Sequence, residues 1–126
     1  MECVTPIVFT LPRPFSANAM YVRAVNRVGA GKRIGDRVHT TEYSAWFMEM
    51  GWLINVQRGE REKITGAVIV RIEIPKSSKL DVDNCNKPIL DLLQRMRIIA
   101  NDRQVDDLHT RRTERGDVLI EITEVK

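Results

Sequence analysis

The segment VIVRIEIP, residues 68–75, places the strongest constraint on the fold of this chain. Four β-branched residues occupy every second position, and Arg71 and Glu73 stand among the residues between them. Alternation with a period of two predicts a strand that buries one face, and Pro75 ends that strand. A sheet with one buried face needs a second layer to cover it.

Two segments with helical periodicity can supply that layer. Residues 41–58 carry an apolar stripe, which predicts an amphipathic helix that Thr40 or Thr41 can cap. A second apolar stripe follows residue 84 and predicts a second helix. Pro88 is tolerated only in the first turn of a helix, so this helix cannot begin much before Asn84. The two stripes consist of Tyr43, Trp46, Phe47, Met50, Leu53 and Ile54, and of Cys85, Ile89, Leu92, Leu93 and Met96.

Three further strands are predicted, at residues 7–11, 105–112 and 118–125. The order is therefore β-α-β-α-β-β, and we predict an α+β fold: a two-layer domain with two main helices and a mixed sheet of about four strands. Because 126 residues build one core comfortably but not two, we expect one domain over residues 1–126. Residues 22–40 hold three glycines without periodicity, which indicates a long loop or a hairpin.

Several classes of protein are excluded by what the sequence lacks. No apolar run suits a membrane span and no signal peptide is evident, so we expect a cytoplasmic protein without a membrane partner. Cys3 and Cys85 have neither the spacing of zinc ligands nor that of a disulfide framework. The stretch GAGKR lacks the first glycine and the Ser or Thr of a phosphate loop, so no nucleotide cofactor is expected.

Clustered cations suggest a phosphate-rich partner. The net charge is only +3, but many basic residues lie in the glycine-containing stretch and around residues 76–79. Such clusters suit nucleic acid, although solvated basic loops are also common. The candidate DNA-binding residues are Arg23, Arg27, Lys32, Arg33, Arg37, Lys76 and Lys79.

The stretch LDVDNCNK, residues 80–87, allows two interpretations. Asp81 and Asp83 lie at the mouth of the second helix, where each could cap the helix and interact with its dipole. If the segment is extended, side chains two apart point the same way, so both carboxylates could instead converge on a hard cation. The residues alone leave a helix cap and half of a metal site equally open.

The surrounding residues favour magnesium over calcium as the metal, but they do not decide between a helix cap and a metal site. A calcium loop fails because Cys85, Asn86 and Leu92 occupy positions that need other residues. Magnesium demands less, and a third acid could come from the segment with Asp102, Asp106 and Asp107. Lys87 could either form a surface ion pair with Asp83 or Asp91, or neutralise charge on a phosphate.

The pattern resembles a known family. The stretches LDVDNCNKPILDLL and IIANDRQVDD are similar to the signature of the RusA family of Holliday junction resolvases, and LPRPFSANAMY resembles that family's N-terminal motif. The resemblance implies that Asp81, Asp83 and Asp102 bind Mg²⁺ and that Lys87 is catalytic. It also implies that Asn84 and Asp107 support the ligands without binding the metal.

The function that follows is a magnesium-dependent endodeoxyribonuclease. The resemblance implies a homodimer that resolves four-way DNA junctions by paired symmetric nicks in recombination or repair. Two alternatives stay open: a less selective magnesium-dependent nuclease, and a DNA-binding or replication-accessory module without catalysis.

Overall fold

The computed structural model describes residues 5–23 and 37–125, and the elements named below lie within these ranges. The helices are α1 (Thr41–Arg58) and α2 (Asn86–Arg95). The strands are β1 (Ile7–Leu11), β2 (Tyr21–Arg23), β3 (Arg37–His39), β4 (Val68–Pro75), β5 (Val105–Thr113) and β6 (Val118–Glu124). Short 3-10 turns are formed by Ala17–Ala19, Asp83–Cys85 and Asp102–Gln104.

Four strands form one mixed sheet in the order β1-β6-β4-β5. Strand β6 pairs antiparallel with β1 and with β4, whereas β4 and β5 are parallel. Helix α2 connects these two parallel strands, as a crossover between parallel neighbours requires. The predicted α+β fold with two main helices and a mixed four-stranded sheet is therefore confirmed.

One face of the sheet packs against the helices. The four alternating residues that predicted β4 are fully buried, and they join the buried stripes of both helices in one core. On β5, Leu108 and Thr110 point to this same face because they pair with the buried Val70 and Ile72 of β4. In the described ranges, no helix is long and apolar enough to cross a membrane.

The predicted limits of β1 and α1 are confirmed. Thr40 caps α1, since its Oγ1 accepts the backbone N–H of Tyr43 at 3.1 Å. The helix ends at Arg58, and the following Gly59 has a φ of 59°, in the region that glycine adopts readily. Strand β1 lies at the edge of the sheet and pairs with a neighbour on one side only. Pro12, which follows it, therefore breaks no hydrogen bonds to a strand on the other side.

Strands β2 and β3 form a small separate sheet. They pair antiparallel, with Tyr21 opposite His39, so the ends of the 22–40 region form a hairpin-like pair. The predicted long loop between them, with Arg27, Lys32 and Arg33, lies outside the described residues, as does the side chain of Arg23.

Candidate metal centre

The acid pair lies in a tight turn that leads into α2. Val82 has helical dihedral angles, and Asp83 begins the 3-10 turn that runs into Asn86 at the start of the helix. The backbone N–H of Asn84 donates to the carbonyl of Asp81 at 3.1 Å. The segment is therefore not extended, so the expectation that both carboxylates converge through strand-like alternation is wrong.

Neither aspartate acts as a helix cap. No side-chain hydrogen bond caps the 3-10 turn or α2, although both carboxylates lie at the mouth of the helix. Asp81 and Asp83 are exposed, and the side-chain amide of Asn84 donates to Asp81 Oδ2 at 3.4 Å. Of the two interpretations that the sequence left open, the structure does not support the cap.

Arg112 fixes the loop that carries the acid pair. Its guanidinium donates to the backbone carbonyls of Ser78 and Leu80, directly before Asp81. Arg112 pairs in register with the buried Ile74, so it points to the helix-covered face of the sheet. A charged side chain at an inward position of β5 is a signal that the sequence contained and our interpretation missed.

The start of α2 is anchored to the core on its other side. Thr110 Oγ1 donates to Asn86 Oδ1 across from β5, and Pro88 is buried in the first turn, where the sequence predicted it. The buried Cys85 Sγ donates to the carbonyl of Asp81 at 3.5 Å. Burial raises the pKa of the Cys85 thiol, with Arg112 opposing that shift, so this cysteine stays protonated at neutral pH.

Lys87 is the second residue of α2 and is largely exposed. Its Nζ is 3.4 Å from Asp91 Oδ2, which is the surface pair that the sequence allowed, and it forms no ion pair with Asp83. An exposed pair of this kind contributes only a few tenths of a kcal/mol. The ammonium can therefore exchange Asp91 for a phosphate at little cost.

Asp102 is held at the far end of α2. Its backbone N–H donates to Gln94 Oε1 at 3.2 Å, and Gln94 belongs to the last turn of the helix. Asn101 caps the turn that begins with Asp102, and the Gln104 side chain completes a capping box. Gln104 Nε2 also donates to the carbonyl of Ile64 at 2.8 Å, which ties this turn to the segment before β4.

The donor chemistry of the three aspartates fits Mg²⁺. They supply only carboxylate oxygens, which hard cations prefer, and all three are exposed. Within residues 5–23 and 37–125, no lysine or arginine neutralises them through an ion pair. The same residues contain no group of three His, Cys, Asp or Glu close enough to hold a metal ion, so Asp102 is not gathered with the acid pair in one chain.

Asp106 and Asp107 lie away from the acid pair. The register between β4 and β5 shifts at Asp106, and Asp107 pairs with Ile69 on the face of the sheet that the helices leave uncovered. Its carboxylate is 3.1 Å from His109 Nε2. The structure therefore does not bring Asp107 to Asp81 or Asp83.

The described candidate DNA-binding cations are spread over two regions. Arg37 is exposed at the start of β3 in the small sheet, where its guanidinium lies 4.3 Å from the centre of the Tyr21 ring. Lys76 and Lys79 are exposed on the loop that leads to the acid pair, and Lys76 pairs with Glu114 at 2.7 Å.

A cleft of about 500 Å³ borders the exposed side of α2. Its walls include the aromatic residues Tyr21, His39 and Tyr43 and the charged residues Asp91 and Arg95. Burial raises the pKa of Tyr43 to about 12, and the charge of Asp91 adds to that shift. The cleft therefore presents a neutral phenol beside charged groups at neutral pH.

One comparison with known proteins gives a match. The model of the family described as "Endodeoxyribonuclease RusA" matches residues 14–123, which is nearly the whole chain and includes Asp81, Asp83, Lys87 and Asp102. No curated protein matches the chain.

Proposed function

We propose that this chain, which belongs to the RusA family of endodeoxyribonucleases, resolves four-way DNA junctions in a reaction that requires Mg²⁺. The observation that carries the proposal is the state of the acid pair. Asp81 and Asp83 lie exposed at the mouth of α2 without capping it and without a basic partner among the described residues. Exposed carboxylates without a basic partner keep their oxygens available, and carboxylate oxygens are ligands that Mg²⁺ prefers.

Asp81 and Asp83 are the residues that would hold Mg²⁺ within one chain, and Asp102, which the family resemblance adds to them, lies at the other end of α2. The ion supplies Lewis acidity toward the scissile phosphate and lowers the pKa of a bound water. Asn84 orients the Asp81 carboxylate through its amide, and Arg112 holds the loop in front of it. These contacts keep the ligand-bearing segment in place before substrate arrives.

Lys87 is proposed to bind the scissile phosphate. Its ammonium lies on the exposed side of α2, one turn beyond the acid pair, and its present partner Asp91 is a weak competitor. A cation at this position stabilises the negative charge that develops on the phosphate during hydrolysis. The exposed Lys79 and Arg37 are proposed to bind the DNA backbone farther away, which makes affinity for the junction fall with salt.

A homodimer is the assembly that paired symmetric nicks require. Its support in the structure is an exposed apolar stripe on α1, where the side chains of Met48, Trp52 and Val56 are 76%, 66% and 59% exposed. These residues recur every fourth position, so they share one side of the helix. Strand β6 is an unsuitable contact because it is already paired on both edges.

Cleavage of a labelled four-way junction with and without Mg²⁺ tests the proposal. We expect wild-type protein to nick the junction only with the metal, and Asp83→Asn to lose cleavage while retaining binding. Retained cleavage by Asp83→Asn would refute the metal site. Asn has the same shape as Asp, so circular dichroism and the unfolding midpoint should not change.

Two alternatives are separated by the same assay. Equal cleavage of linear duplex and junction would indicate a less selective nuclease. Binding of junction DNA without any cleavage would indicate a DNA-binding or replication-accessory module. A cytoplasmic location stays a prediction.

A further inference from the structure

The cleft beside α2 gathers four aromatic side chains. Tyr21 and His39 come from the small sheet, and Tyr43 and Phe47 come from α1. The centre of the His39 ring lies 4.8 Å from that of Tyr21 and 4.9 Å from that of Tyr43. The proposed cleavage reaction uses none of these rings.

Packing in the core accounts for only part of this cluster. Tyr43 is 3% exposed and belongs to the core, and Tyr21 and Phe47 are partly buried against it. His39 is exposed, so its ring stays outside the core. An exposed ring in contact with two other rings is a surface on which a flat ligand can stack.

Helix α2 supplies hydrogen-bond donors to the same cleft. The guanidinium of Arg95 lies 5.6 Å from the centre of the Phe47 ring, and no carboxylate in the described ranges forms an ion pair with it. Gln94 Oε1 accepts the backbone N–H of Asp102, and its Nε2 donates to no acceptor among the described residues. Guanidinium and amide groups are donors that bind the edges of nucleobases.

The cleft and the proposed phosphate site share one side of α2. Gln94 and Arg95 follow Lys87 by seven and eight residues, so all three side chains project from the same side of the helix. A rise of 1.5 Å per residue puts the donors of the cleft about 10–12 Å from Lys87 along the axis. A DNA strand whose phosphate is bound by Lys87 can therefore bring a nearby base to the cleft.

We propose that the cleft binds one unstacked base of the DNA strand whose phosphate Lys87 holds. The inference rests on the proposed function, because it takes that DNA as the ligand. The base stacks on His39, and Arg95 and Gln94 donate hydrogen bonds to its edge. The cleft volume of about 500 Å³ is typical of protein sites for small organic groups. Because unstacking costs least where a regular duplex is interrupted, such a site favours a junction over a continuous duplex.

Abasic scanning of a labelled four-way junction tests the proposal. Each nucleotide near the branch point is replaced in turn by an abasic sugar. Binding is measured by fluorescence anisotropy with Asp83→Asn protein and Mg²⁺, so that cleavage does not interfere. We expect at least one position at which loss of the base weakens binding about tenfold, because one stack between a base and an aromatic ring is lost.

Two variants of His39, made in the same Asp83→Asn protein, assign that effect to the cleft. His39→Leu removes the ring, so it should bind the intact junction about tenfold more weakly and should no longer respond to the abasic substitution. His39→Phe keeps a flat ring without the imidazole nitrogens, so it should retain the response. Because His39 is exposed, both variants should show an unchanged circular dichroism spectrum.

Lys79→Met is the matched control. Lys79 is exposed on the loop before the acid pair and does not line the cleft, so this variant should weaken binding of every junction alike and keep the response to the abasic position. The proposal is overturned if no abasic position weakens binding, or if His39→Leu responds to that position as Lys79→Met does. Failure of the wild-type protein to cleave the junction with Mg²⁺ would contradict the proposed function instead, and the binding measurements would still decide the base site because they need no cleavage.

Discussion

Replacing Arg112 with methionine removes the contact that holds the acid-bearing loop. Methionine keeps most of the aliphatic stem but loses both donors to the carbonyls of Ser78 and Leu80. A hydrogen bond from a charged donor contributes about 1.5–3 kcal/mol, and water can reach the partly exposed loop after the change. We therefore expect Arg112→Met to lower the free energy of unfolding by about 2–4 kcal/mol.

The neighbouring arginine provides the matched control. Arg111 lies on the opposite face of the sheet, is 66% exposed, and its Nη2 is 3.6 Å from Glu73 Oε2. Exposed ion pairs contribute about 0–1 kcal/mol, so Arg111→Met should change stability little. Urea unfolding followed by circular dichroism gives both values, and the slope with urea shows whether the two variants unfold alike.

Activity completes this test. If Arg112 positions the acid pair, junction cleavage by Arg112→Met should fall even at temperatures where the variant is fully folded, and a higher Mg²⁺ concentration should restore part of it. The reasoning is refuted if Arg112→Met is no less stable than Arg111→Met, or if both variants cleave like wild type.

Three further predictions concern other parts of the chain. Lys87→Ala should lower turnover more than junction binding, whereas Asp91→Asn, which breaks the same ion pair, should leave turnover unchanged. Equal rates for Lys87→Ala and wild type would show that Lys87 forms only a surface ion pair. The pKa of Tyr43 is raised from 10.0 to about 12 in the folded protein, so the stability that the neutral phenol contributes is complete below pH 10 and is lost as the pH rises toward 12. Tyr43→Phe should therefore show a smaller decline of the unfolding midpoint between pH 10 and pH 12. Trp52→Glu on the exposed stripe of α1 should yield monomers in light scattering at unchanged circular dichroism, and a persistent dimer would exclude that stripe as the contact.

The elements that the sequence predicted well are those with sharp local limits. Helix α1 begins after a threonine cap and ends before a glycine with positive φ, and both signals act within a few residues. Strand β4 was recognisable because alternate residues are buried and Pro75 stops the ladder. The three-residue strands β2 and β3 are too short to show a period, and their pairing depends on residues far apart in the sequence.

The candidate site was less predictable because its geometry depends on chain direction. The sequence shows Asp102 nineteen residues after Asp83 and leaves open where the intervening chain runs. Ten of those residues form α2, a rigid spacer that places Asp102 at the end of the helix away from the acid pair. Likewise, the loop before the turn at Val82 is held by Arg112, a partner on β5 that sequence spacing does not specify.

The contacts that position the acidic residues share a feature that bears on the metal. Arg112 binds backbone carbonyls ahead of Asp81, and Gln94 binds the backbone N–H of Asp102. An arginine placed directly on a carboxylate would have fixed the segment equally well, but it would also have neutralised the charge that attracts Mg²⁺. Anchoring through the backbone fixes each segment while its carboxylate oxygens stay available, and this is the arrangement that a cation-binding site needs before the ion and the DNA arrive.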